Sequence, residues 1–563
     1  MTFGKITLRG LLIASTVLFS TAALADNQTP DITLPNTAYT LPYNLTMAVD
    51  DFGATPMPTL QSFSAAQLNG DWIMLGGRSN GLHGFTFSGT TNFPPADQNH
   101  TVWIVDPVTK QSWSRSLDGS GLPVALIDAL SSTAQESMQS GGTLYVVGGY
   151  GFDTTANGFL TYDTLTSIDL AGLTAWVKGS SSAPALTSIF RSIHDPSLQV
   201  TGGELSQVDG RAMLVFGQNF DGDYNPGANG HYTDQVRSFD IVDTANSLSI
   251  TNLSASPNPG DESIYRRRDY NLIDIMHSDP TTGALSEGVV ALGGVFTDTG
   301  GAWTVPVTIG ADGVPHMADP NAADTLKMGL NLYSSASFST FSQVTGVNYA
   351  TLFGGISGGT FDPATRTFTA DPELPFNNVI TTIVIDQNGK MTQDLMTTEF
   401  PTILSQSVNP GNQLLFGASS RFFAAPGIPQ FDNGVIDLDS VMAEATADSV
   451  TLGYVFGGIA STLPNTNSTA DSMASNTVFT VTIDLPQLID VNTAGTTTSG
   501  TDDVGRRLLI ENAGADYVIS SGSTVLAYGG GMVQSGMFTV NGTFLGRSLL
   551  VGADGTLRGT GTV

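Results

Sequence analysis

Trp72-Ile73-Met74-Leu75-Gly76-Gly77 and Leu144-Tyr145-Val146-Val147-Gly148-Gly149 decide how this chain is read. Each is a short apolar run that stops on a glycine pair. The phrase returns as Val289-Val290-Ala291-Leu292-Gly293-Gly294, as Tyr349-Ala350-Thr351-Leu352-Phe353-Gly354-Gly355, and as Gly453-Tyr454-Val455-Phe456-Gly457-Gly458. Met213-Leu214-Val215-Phe216-Gly217 and Leu414-Leu415-Phe416-Gly417 keep a single glycine. The first glycines stand 72, 69, 76, 61, 63 and 40 residues apart. That spacing is too uneven for a tight solenoid but suits a unit of about 50 residues with variable loops.

The sequence around the phrase repeats as well. A second strand follows, often with an aspartate at its end: Thr101–Asp106, Gln235–Asp240, Ile380–Asp386 and Thr477–Asp484. In the first two units a tryptophan stands seven residues further on, at Trp113 after Asp106 and Trp176 after Asp169. Ala185–Ile193, Tyr270–Met276 and Ser334–Phe341 read as strands that precede a glycine-ended one. The unit is therefore strand, Gly-Gly strand, loop, strand, Trp strand, a four-stranded antiparallel meander bounded by Gly, Asn, Asp and Pro. Such a sheet alone leaves two apolar faces wet, whereas copies packed face to face around an axis bury both.

Gly-Gly after an apolar strand, then Val102, Asp106, Pro107, Thr109 and Trp113, resembles the Kelch repeat. The resemblance covers roughly residues 40–486 and implies an all-β, Kelch-type β-propeller with one repeat per blade. Seven glycine-bearing strands suggest seven blades. The short step from Gly417 to Gly457 suggests instead that Leu414–Phe416 belongs to one long blade, which gives six. Ala38–Val49 is apolar enough to complete the last blade from the other end of the chain.

The flanks differ in texture. Lys5 and Arg9, an apolar centre over Leu11–Phe19 and Ala23-Leu24-Ala25 have the order of a secretory signal, so residues 1–25 are read as a signal peptide and the protein as exported. Residues 26–486 are assigned to the propeller and the Thr/Gly-rich 487–505 to a linker. Residues 506–563 carry short strands at close intervals and read as a small β-solenoid-like segment. This tail resembles the passenger segments of bacterial autotransporters. Its stop at Val563 without a barrel-like sequence is expected of a piece of a longer surface protein or of a short stem.

Composition narrows the chemistry. Lys and Arg total 20 against 50 Asp and Glu, a net charge of −30, which argues against nucleic acid as a partner. With no cysteine there is no thiol nucleophile or thiolate ligand, and the Tyr–Cys cofactor of Kelch-family copper oxidases is excluded. After the signal no run of 18 apolar residues occurs, so no membrane-spanning segment is expected in the mature chain. None of the six histidines pairs with another at metal-ligand spacing, and no resident cofactor is expected. Asp221, Asp223 and Asn225 alternate as Ca²⁺ ligands do, but Pro226 replaces the required glycine and Tyr232 the required glutamate, so a plain Asp/Asn turn is the competing reading.

Among so few cations, Arg266-Arg267-Arg268 stands out just ahead of the strand Tyr270–Met276. Several guanidinium forks there suit carboxylates or sugar acids. Arg191, in a strand that precedes a glycine-ended one, is expected at comparable depth. These residues are the candidate ligand-binding set, and no catalytic residue is assigned. The expected role is an extracellular or cell-surface binding module for a glycan or a protein, more in keeping with binding than with catalysis. The alternative is a periplasmic sugar-active enzyme similar to Kelch-fold sialic acid mutarotases.

Overall fold

The computed structural model describes residues 30, 32–33 and 41–563, apart from 221, 226–229, 246, 261–262, 299, 467, 493–495 and 499–502. The signal-peptide reading of 1–25 lies outside the described residues. So does Asp221 of the calcium-like turn.

The protein is a six-bladed β-propeller followed by a three-turn β-solenoid. Each blade has a four-stranded antiparallel meander at its centre, as the repeat predicts, and blade five gains the short parallel strands Ile32–Thr33 and Ile436–Asp437 at its edges. From the axis outward, blade one is Ser64–Leu68, Asp71–Leu75, Thr101–Asp106 and Gln111–Ser116. Blades two to five begin on the innermost strands Glu136–Ser140, Glu204–Val208, Asn271–Ser278 and Ala336–Ser342. Blade six runs Leu415–Ala424, Ser449–Ser461 and Val478–Asp484, and its outermost strand is Asn44–Asp50 from the start of the propeller. Leu45 lies opposite Ile483 there, so the ring is closed by strands from both ends.

Leu415–Ala424 is the innermost strand of the blade whose second strand carries Gly457-Gly458, and this settles six blades against seven. Two further expectations are corrected. Trp176 sits on a helix, Leu170–Val177, and not on a fourth strand, because Asp169 caps that helix by accepting from the Ala171 N–H. Ala185–Ile193 divides into the short helix Leu186–Ile189 and the outermost strand of blade two, Phe190–His194, so it does not precede a glycine-ended strand along the axis.

The glycine pairs fasten neighbouring blades. In each case the second strand returns toward one end of the axis, and the pair meets the incoming backbone of the next blade. The second glycine's N–H donates to that backbone: Gly77 to Ser132 O, Gly149 to Val200 O, Gly294 to Leu332 O and Gly458 to Leu60 O. A side chain on the first glycine would collide with the same segment. A Cβ on Gly148 would stand 2.1 Å from Val200 O, and one on Gly293 2.3 Å from Leu332 O. The aspartates after the third strands act locally and hold their own turns. Asp106 accepts from the Val108 and Thr109 N–H groups and the Thr109 hydroxyl, and Asp386, just after the third strand of blade five, accepts from the Asn388 and Lys390 N–H groups.

Apolar contacts between blades form the core. At the closure, Trp72 of blade one is fully buried and stacks on Phe423 of blade six at 4.7 Å. Between blades two and three lies a less usual group. Glu136 is fully buried and accepts from Gly203 N–H through Oε1, while Oε2 has no hydrogen-bond partner among the described residues. Burial raises its pKa well above the ordinary carboxyl value. A raised folded-state pKa means stability present at acid pH and lost as pH rises from the ordinary glutamate value through the raised one. Glu136→Gln, which mimics the protonated acid, is expected to raise the melting temperature at pH 8 by about 2–4 °C and to change it little near pH 4. A scan at the two pH values checks this. An equal effect at both would show that ionisation is not the cause.

The described parts of 487–505 are not a linker but the first coil of the solenoid. Ile489 pairs in parallel with Leu508, Thr496 with Tyr517 and Asp503 with Val525. Thr, Gly and Asp serve the corners of a β-coil as readily as a loose tether, so composition does not separate the two. The coils bury a thin column of Leu508, Ile510, Tyr517, Val525, Phe538 and Phe544. The solenoid packs on the helix Leu438–Glu444 of blade six through buried Tyr528, with Arg506 paired to Asp448 at 2.6 Å and Arg547 to Asp437 at 3.3 Å. Among the described residues no helix is long and apolar enough to cross a membrane.

Candidate functional site

At one end of the axis six residues, one from each blade, form a closed belt of backbone hydrogen bonds. Ala134 N donates to Ser62 O, Gly202 to Ala134, Asp269 to Gly202, Ser334 to Asp269, Ser419 to Ser334, and Ser62 back to Ser419, all at 2.7–3.3 Å. In blades one to five the belt residue stands two positions ahead of the innermost strand. Ser62, Ala134, Gly202, Asp269 and Ser419 have φ between 48° and 68°, the left-handed elbow that turns the chain from the mouth down the axis.

The belt divides the axial cavity into a mouth above and a chamber below, both of which it lines. The mouth holds about 630 Å³ of empty space, counted to its open rim. Arg78, His83, Tyr224, Arg268, Asp269 and Tyr333 contribute its polar wall. Glu204 and Arg421 stand in the chamber beneath. Three of the chain's 20 Lys and Arg thus converge on one axis in a protein of net charge −30.

Their partners differ. Arg78 is committed to the scaffold: Nε donates to Asn80 Oδ1 and Nη2 to Pro94 O, with the guanidinium over the Phe93 ring. Burial pulls its pKa down to about 10, so it stays charged at neutral pH. Arg268 is not committed. Its Nε is buried without a hydrogen-bond partner among the described residues, its nearest acid is Asp269 at 3.6 Å, and the rings of Phe296 and Tyr224 lie 5.5 and 6.0 Å away.

The carboxyls that face these cations are biased toward neutrality. Burial raises the pKa of Asp269 against the pull of Arg268 and a hydrogen bond with Tyr333, and burial raises Glu204 against the pull of Arg421.

His83 completes the mouth. Its ring packs among Phe85, Phe93 and Tyr224 at 4.6–4.9 Å. Nδ1 lies 2.9 Å from Gly84 O, and a carbonyl only accepts, so the neutral ring carries its proton on Nδ1 and leaves Nε2 as the basic nitrogen. Burial, backed by Arg268 and Arg78, pulls its pKa down to about 4. A depressed histidine pKa gives stability present above the ordinary value and lost as pH falls through the lowered one. Acidification from pH 6.5 to 4 is thus expected to loosen the aromatic wall. Monitored by ring NMR, the His83 titration should have its midpoint near 4. A midpoint near 6.5 would place the ring in solvent.

The arginine triplet is split by the fold. Only Arg268 reaches the mouth. Arg267 is fully buried, donates to Gly293 O and Val305 O, and packs on Trp303, with burial pulling its pKa down to about 9. Arg266 donates to Phe296 O and Thr297 O and lies over the Tyr232 ring at 4.0 Å. Arg191 is at neither the mouth nor the expected depth. It lies on the outermost strand of blade two and clasps Asp243 of blade three at 2.7 Å. Asp223 accepts from Gly89 N–H at 3.2 Å, and Asn225 donates to Asp223 O.

Sequence reasoning missed His83, Arg78, Asp269, Tyr333, Glu204 and Arg421. Once the blades are aligned, the position two ahead of each innermost strand finds Asp269. The others come from loops and strands whose meeting depends on ring closure.

No family model and no curated protein matches the chain. Among solved structures, one titled "Structure of YjhT" matches at 12% identity with a TM-score of 0.38, over 77% of this chain and 100% of that one. A likeness of that strength carries nothing to the residues of the mouth.

Proposed function

We propose that the axial mouth binds a small carboxylate-bearing carbohydrate, with Arg268 as the group that takes the carboxylate. The observation that carries this is a cation with an unsatisfied donor in a cavity whose own acids are held toward their neutral forms. A buried guanidinium with a donor left over beside one long ion pair favours an anion with two oxygens in a plane. The aromatic wall of His83, Phe93 and Tyr224 offers rings to a sugar, and a concave mouth of about 630 Å³ suits a small ligand. The basic-apolar-small order of residues 1–25 supports a place outside the cytoplasm, and the repeated glycine pairs support a Kelch-type kinship.

Calorimetric titration tests the reading with N-acetylneuraminic acid and galacturonic acid, each against a neutral sugar of similar size. Either acid is expected to bind at least tenfold tighter than its neutral counterpart. Equal or absent binding across both pairs sinks the proposal.

A second reading, proton-transfer turnover of the bound sugar, is favoured by one observation. His83 keeps a free basic nitrogen down to about pH 4 in the cavity that also holds carboxyls pushed toward protonation. An unchanged mutarotation rate when the protein is added to fresh sialic acid would leave binding alone.

A further inference from the structure

The far end of the axis holds a second cavity, separate from the mouth. The innermost strands of blades four and five part there around Asp274, Ser337 and Ser339, with Gln67 from blade one and the rings of Phe338 and Phe422 completing the wall. Its empty space is about 690 Å³, counted to an open rim where Gln430 and Gly434, between the blade-six strand Leu415–Ala424 and the helix Leu438–Glu444, are exposed.

Asp274 is the one ionisable side chain in this lining. It accepts a single hydrogen bond, from Ser206 Oγ at 2.5 Å. The charges that act on it are Glu287 from the second strand of blade four and Glu204 from the innermost strand of blade three, both carboxyls. Asp432, between Gln430 and Gly434, is exposed and outside the lining. Burial pushes the Asp274 carboxyl up to about 7, opposed by the Ser206 bond and reinforced by the two glutamates. A carboxylate in such a place lacks a cation. Among the described residues no cluster of acids or histidines could hold a metal ion there or elsewhere. One carboxylate in a lining otherwise of neutral side chains, Phe338 and Phe422 among them, matches an organic monocation, which needs no cage of oxygens.

We propose that this far-end cavity binds a small ammonium compound, its charge on Asp274 and its carbon groups against Phe338 and Phe422. The site does not depend on the function assigned to the mouth.

The full chain would be titrated with choline chloride at pH 8, with 3,3-dimethyl-1-butanol as the neutral counterpart. Choline is expected to bind at least tenfold tighter than the alcohol, and Asp274→Asn to lower choline affinity at least tenfold. Asparagine keeps an oxygen for Ser206 and the size of the side chain. Should that variant fail to fold, the wild-type protein answers alone: at pH 5.5, with Asp274 protonated, choline is expected to bind about tenfold or more weakly than at pH 8. Arg268→Ala is expected to leave choline affinity unchanged. No choline binding at pH 8, equal binding of the alcohol, a pH-independent affinity, or loss of choline binding in Arg268→Ala would each overturn the proposal.

Discussion

Replacing Gly148 with valine is expected to lower the free energy of unfolding by about 3–5 kcal/mol, the sum of a strained backbone and an overfilled contact. Gly148 has φ +61°, where a β-branched residue is a steric outlier. Its Cβ would stand 2.1 Å from Val200 O and 2.9 Å from the buried Glu136 carboxyl. Neither neighbour has room to yield, because Val200 O already accepts from Gly149 N–H, the bond that fastens blade two to blade three. Gly142→Ala is the matched control. Gly142 has an ordinary φ and open space where the methyl would go, so its effect should stay within about 0.5 kcal/mol. Denaturant melts of the three proteins decide the matter. A valine variant within about 1 kcal/mol of wild type would mean that the glycine pairs merely end strands and do not join blades.

That joining role explains what could be read in advance. The pairs were visible because an apolar strand and a pair of residues free to take positive φ are both local signals. What they fasten was not visible, since Val200 and Leu332 belong to the next repeat. Blade number turned on Gly417, which imitates the phrase but sits on an innermost strand, where its Cβ would meet Phe353 O at 2.1 Å. Gly417 is thus the incoming chain of blade six, which the pair Gly354-Gly355 on the second strand of blade five meets, and it belongs to the contact without being a further pair. At Arg191 the local sequence was strand-like in both readings, and only the pairing of Phe190–His194 outside Thr164–Asp169 moved it from the axis to the rim.

The triplet Arg266–Arg268 shows the same limit at the site. Three identical side chains in a row carry no local sign of their fates. Arg267 faces into the blade, whereas Arg266 and Arg268 point to the opposite side, and of those two only Arg268 adjoins the belt residue Asp269. The elbow at Asp269 is set by hydrogen bonds to Gly202 and Ser334, residues of two other blades. A polar axis of this kind is legible only once ring order is known.

Arg268→Ala is accordingly expected to weaken binding of the preferred sugar acid at least 100-fold, about 2.7 kcal/mol, with little effect on the neutral counterpart. The loss should be this large because the guanidinium is largely desolvated before the ligand arrives, with one long ion pair to Asp269 and a buried Nε that makes no hydrogen bond among the described residues. Arg268→Lys keeps the charge and loses the planar fork, and should recover only part of the affinity. Two arginines give the contrast. Arg191→Ala should leave sugar affinity unchanged and cost about 1 kcal/mol of stability at most, because its partly exposed clasp to Asp243 lies at the rim. Arg78→Ala should reduce affinity together with stability, since its fork holds Asn80 and Pro94 in the wall of the mouth. If Arg268→Ala binds the sugar acid within about threefold of wild type while its fold is intact, the anion sits elsewhere.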